Sequence, residues 1–135
     1  MTTGVRVGDQ LTILERAITL TDMVAYAGAT WDWHRLHYDP AYIAERGLAG
    51  PLVDGQALGA YLCEQLLDEF GPTAWVRHIA FQFKSMVFAG ETIRCAGVVT
   101  NVSAQMIDVE QSINVGDRLC VSSTAIVQLR TVGAR

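Results

Sequence analysis

Nothing in this chain of 135 residues is built to cross a membrane by a helix, because no apolar run approaches the roughly 18–20 residues such a span needs. The opening residues, Met-Thr-Thr-Gly-Val-Arg-Val-Gly-Asp, lack the apolar core of a secretory signal, so no signal peptide is expected. Basic charge is scarce: 10 Lys and Arg stand against 14 Asp and Glu, a net charge of -4, and no Lys/Arg-rich run exists. That balance excludes a general nucleic-acid surface. Cysteine is sparse and unpaired. Cys63, Cys95 and Cys120 are odd in number and widely spaced, without a CxxC or a paired Cys/His spacing. They read as free thiols in a reducing compartment, from which a cytoplasmic location is expected. The three histidines show no HxH or HExxH pattern, so no metal set is expected. There is also no linker, repeat or low-complexity tract, which leaves a single domain over residues 1–135.

What is present is apolar and periodic. Half of the residues are hydrophobic and 18% are charged, an excess that a subunit interface would absorb. An early strand is expected over about residues 9–18. Thr21 or Asp22 then offers an N-cap for a short helix that runs to about Ala29. Between Trp31 and Pro40 two aspartates and two histidines crowd among aromatics. Asp39-Pro40 supplies a cap and a first-turn proline for a second short helix, which Gly47 ends. After the turn Gly50-Pro51-Leu52-Val53-Asp54-Gly55 comes the longest helical pattern, about 55–70. Its uncharged stretch from Ala57 to Cys63 predicts a helix buried on all sides through its first two turns. Alternating patterns then predict four strands, about 74–86, 91–102, 104–115 and 117–130. The sum is an α+β domain in which an antiparallel sheet of five or six strands wraps a long central helix.

These residues resemble a known family, the MaoC-like dehydratases or R-specific enoyl-CoA hydratases, which have the hot-dog fold. Their signature is a Tyr/Phe-containing helix followed by Gly-Asp-x-Asn-Pro-hydrophobic-His. The run Tyr26-Ala27-Gly28-Ala29-Thr30-Trp31-Asp32-Trp33-His34-Arg35-Leu36-His37 keeps the Asp-to-His spacing. Leu52-Val53-Asp54-Gly55-Gln56-Ala57-Leu58 is similar to the family's turn into its central helix, Ile-Val-His/Asn-Gly-x-x-Leu. Phe83 to Ile93 is similar to its Phe-x-x-Pro-Val-x-x-Gly-Asp-Thr-Ile segment. Three positions depart from the pattern: Trp31 replaces a Gly, His34-Arg35 replaces Asn-Pro, and Asp54 stands where His or Asn is common.

On the residues alone, Asp32 and His37 are either an acid/base pair or a polar turn. The resemblance implies the first: the pair activates a water for addition to an enoyl thioester, or its loss in reverse. The thioester would carry CoA or an acyl-carrier protein, with no metal or redox cofactor. It also implies that the backbone N–H of Gly55, at a helix N-terminus, holds the developing oxyanion. Val53, Gly59, Cys63 and Leu66 would line the acyl pocket, although packing against the sheet is an equal reading for the last three. His34 is read as support for the loop and His78 as a surface residue. Cys63 has no activating group near it in sequence and is not expected to be a nucleophile. A homodimer or higher oligomer is expected, or a heteromer with a related chain. Two other readings stay open: a hot-dog thioesterase using Asp54 or Glu64, and a non-catalytic acyl-binding subunit.

Overall fold

The computed structural model describes residues 4–131. Its elements in chain order are β1 (Leu14–Ala17), α1 (Leu20–Thr30), a 3-10 turn (Arg35–His37), α2 (Pro40–Glu45), α3 (Gly55–Phe70), β2 (Ala74–Phe83), β3 (Thr92–Ser103), β4 (Met106–Val115) and β5 (Arg118–Leu129). The strands form one antiparallel sheet in the order β1-β3-β4-β5-β2, with α3 packed on it as the hot-dog arrangement requires. Five strands are present among the described residues, the lower of the two expected numbers.

The central helix has the expected bounds, with Asp54 as its N-cap and Gly71 as its C-cap. Leu58, Leu62 and Leu66 recur every four residues and are almost wholly buried against the sheet. Two glycines let α3 come close to β2. A Cβ on Gly59 would lie 2.5 Å from the Phe81 ring, and one on Gly55 would lie 2.4 Å from the Phe83 ring. Gln65, 2% exposed, pins the helix to the sheet. Its amide donates to the carbonyls of Thr12 and Cys95, and its oxygen accepts from Gln111. Gln111 donates as well to the Leu62 carbonyl. The first two turns are not buried on all sides, however. Gln56 and Ala60 are exposed, and Ala60 borders a cleft that separates α1 from α3.

Other expectations need correcting. The early strand is not continuous over 9–18. Gln10 bridges Val98, and the ladder with β3 begins only at Leu14. Between them α3 captures the backbone of Thr12: its N–H donates to Glu69 and its carbonyl accepts from Gln65. Helix α1 starts earlier than expected, capped by Thr19, whose hydroxyl accepts from the Asp22 N–H while the Asp22 carboxylate accepts from the Thr19 N–H. Asp22 is thus the third residue of a capping box, not the cap. Strand β2 stops at Phe83, not 86, because the N–H groups of Lys84 and Ser85 both turn onto the Cys120 carbonyl. A bulge between Val76 and His78 also shifts its alternation by one residue, so Val76, Ile79 and Phe81 share the inner face. Arg118 ties the start of β5 to Glu91 ahead of β3. Burial pushes the Glu91 carboxyl up, but the guanidinium and the Phe88 N–H outweigh it and leave it below the ordinary range.

Candidate active site

The crowded loop sits beside the N-terminus of α3, and its shape follows from local caps. Helix α1 ends at Trp31, which holds a left-handed conformation at φ 58°, ψ 31°, with the Asp32 N–H returned to the Ala27 carbonyl. Helices commonly end in this way, usually with glycine at the left-handed residue. Here a tryptophan takes the position, 80% exposed, its ring edge-on to Trp33 at 6.0 Å. His34 then caps the 3-10 turn by accepting from the Leu36 N–H, and its ring meets His37 and Tyr42 edge-on. Asp39 caps α2 by accepting from Ala41 and Tyr42, and it pairs with Arg35.

These turns aim His37 at a four-residue strip, Leu52-Val53-Asp54-Gly55. The strip runs extended into α3, held by hydrogen bonds from Leu52 N–H to the Leu36 carbonyl and from Val53 N–H to the Val87 carbonyl. It meets the imidazole on both nitrogens. His37 Nδ1 lies 2.5 Å from the Leu52 carbonyl, which can only accept, so Nδ1 carries a proton. Nε2 is then the basic nitrogen of the neutral ring, and it faces Asp54 Oδ2 at 3.9 Å. Asp32 completes the group. One ligand-type atom from each of Asp32, His37 and Asp54 lies within 4.8 Å of the others. Asp32 is exposed, whereas the side chains of His37 and Asp54 are 13% and 15% exposed. Tyr26 on α1 lines a cleft together with Asp54. Burial pushes its phenol up, and the charges of Asp54 and then Asp32 push it further.

Two clefts flank the strip, and Val53 lines both. The first, about 390 Å³, lies between α1 and α3; Ile18, Met23, Tyr26, Ala57 and Tyr61 give it apolar walls, and Asp54 stands at its edge. The second, about 440 Å³, is lined by Gly55, Leu58, Phe83, Lys84 and Met86. As the first residue of α3, Gly55 has an N–H with no acceptor within the helix. The Phe83 ring lies against the spot where its side chain would be. Of the expected pocket residues, only Val53 and Gly55 border these clefts. Gly59 instead makes room for Phe81, Leu66 is fully buried in the core near β4, and Cys63 is half-buried with its thiol pushed up by burial. His78 is an exposed residue of β2. The fold thus joins Asp32 and His37 and adds Asp54 and Tyr26, which sequence reasoning had not placed with them. It also makes a set of three potential metal ligands that no sequence spacing contains.

Residues 4–123 match the family described as the MaoC-like domain. A mitochondrial 3-hydroxyacyl-acyl-carrier-protein dehydratase from Arabidopsis thaliana is 30% identical over 67% of this chain. The chain spans about half of that relative's length, 54%. Among solved structures, the (R)-hydratase from A. caviae involved in PHA biosynthesis superposes with a TM-score of 0.89 at 24% identity, covering 96% of this chain and 100% of that one. A chain of the ChsH1-ChsH2 complex from Mycobacterium tuberculosis superposes at 0.88, also 24% identical, covering 93% and 98%.

Proposed function

This chain belongs to the MaoC-like domain family, and from that membership we propose that it is a hydro-lyase that adds water to an enoyl thioester or removes it from a 3-hydroxyacyl thioester. The single observation that carries the reading is the convergence of Asp32 and a tautomer-fixed His37 beside the N-terminal N–H of α3. In the hydration direction, a water held by the Asp32 carboxylate and His37 Nε2 attacks C3 of the enoyl group. The C3–O bond forms as the water's proton passes to Nε2. The displaced π electrons move to the thioester oxygen, which the Gly55 N–H and the helix terminus stabilise. Protonated Nε2 then gives that proton to C2, which restores the neutral ring, and one molecule of water has been added.

The apolar cleft between α1 and α3 offers space for an acyl group next to these residues. The cleft beyond Gly55, with Lys84 in its wall, suits the approach of the carrier arm of CoA or an acyl-carrier protein. No redox step occurs in this scheme. Although Asp32, His37 and Asp54 could ligate an ion, the scheme needs none, and activity should survive EDTA. The test is the loss of conjugated absorbance when the protein is incubated with crotonyl-CoA and longer enoyl-CoAs. Thiol release from saturated acyl-CoA without hydration would instead favour a thioesterase, a reading that Asp54 at the head of α3 keeps in contention. Activity only with a co-expressed related chain would favour the role of a partner subunit.

A further inference from the structure

We propose that Asp54 is a positioning residue for this reaction: it acts through His37, keeping Nε2 available as a base and then stabilising the protonated ring. The inference rests on the hydro-lyase reading for its kinetic consequence but not for its geometry. Asp54 divides its two oxygens between two tasks. Oδ1 accepts from the Gln56 N–H at 2.9 Å and caps α3, while Oδ2 faces His37 Nε2 at 3.9 Å. A cap needs only the first. Asn and Ser cap helices about as well as Asp, so capping alone does not call for a charged side chain.

The second oxygen has a chemical reason to be a carboxylate. The Leu52 carbonyl holds the proton on Nδ1, which leaves the lone pair of the neutral ring on Nε2. An amide at position 54 can turn its N–H donor onto that lone pair and occupy it. An ionised carboxylate has no donor, so it leaves the lone pair for water, and it attracts the ring once Nε2 is protonated. The separation of 3.9 Å is too long for a direct hydrogen bond but lets one water touch both atoms. The remaining groups around the ring support this division. Asp32 comes from the end of α1 and is exposed, Tyr26 on α1 shares a cleft with Asp54, and His34 meets the ring edge-on from the loop. Asp54 is the less exposed carboxylate, the one fixed by a helix terminus, and the one whose oxygen pairs with Nε2.

The test uses Asp54→Asn and Asp54→Ser, both of which keep a capping oxygen. With crotonyl-CoA or the best enoyl-CoA found, kcat should fall about tenfold or more in both variants. KM should change less than twofold and the melting temperature should stay close to that of the parent. A purely structural role predicts an unchanged kcat in both, and that result overturns the proposal. Nitrogen-15 NMR of the His37 ring supplies an arm that needs no turnover. The Nε2 signal should move in Asp54→Asn and stay in place in the remote control Asp117→Asn. If it does not move, the proposal is wrong whatever the activity. If the parent protein hydrates no enoyl thioester while the signal moves, the hydro-lyase reading fails and the Asp54–His37 coupling stands.

Discussion

At the scale of single residues, the position before the acid is the least expected. Trp31 holds a left-handed backbone that costs a side-chain-bearing residue roughly 1–2 kcal/mol, while its ring is largely exposed and stands edge-on to Trp33. Asn tolerates that conformation, so Trp31→Asn should raise stability by about 1 kcal/mol. Urea denaturation would show it; a loss of stability would mean that the exposed ring makes a contact in solution that outweighs the strain. The departure from Gly at this position was visible in the sequence, but its consequence was not, since no pattern says that a tryptophan will take the turn a glycine usually takes. The spacing of Asp32 and His37 was legible for the opposite reason: both lie on one short loop. Asp54 and Tyr26 join them only through the fold. Asp54 arrives from the head of α3 and Tyr26 from α1, and no local period connects either to His37.

At the scale of elements, α3 and the four later strands could be read from periodicity, and glycine or proline marks most of the turns between them; β3 passes to β4 through Ala104 at φ 53° with neither. The errors fall where a side chain from another element takes over the backbone. Glu69 and Gln65 interrupt the early strand at Thr12, and the Cys120 carbonyl ends β2 after Phe83. The uncharged stretch in α3 suggested burial on every side, yet composition cannot tell a packed face from one that borders a cleft. Gln65 is the matching surprise, a polar residue at the centre of a helix face that is otherwise leucine. It satisfies two carbonyls and the Gln111 amide at once. Gln65→Leu would leave the Cys95 carbonyl and the Gln111 amide without that partner in the buried interior, and the Thr12 carbonyl without it nearer the surface, and should cost about 2 kcal/mol or more of folding stability. Chemical denaturation measures this, and a neutral effect would show that the helix does not depend on the network.

At the scale of the whole molecule, β2 lies at one edge of the sheet, with Trp75 and Phe83 largely exposed along it. An uncovered edge strand bearing aromatics suits pairing with a second chain. We expect sedimentation velocity to report a dimer; a monomer at micromolar concentration would leave this edge without the partner proposed for it. The Phe83 end of β2 is also where the second cleft opens beside Gly55. On the proposed reading, assembly and substrate entry share a border, and the reaction depends on the one loop that brings Asp32 and His37 to that helix end. The measurement that tests this most directly compares the parent protein with Asp32→Asn and His37→Ala in the enoyl-CoA hydration assay. The parent should consume an enoyl thioester in the presence of EDTA, and each variant should lose about a hundredfold or more of that rate while melting near the parent temperature. Full activity in both variants would contradict the account.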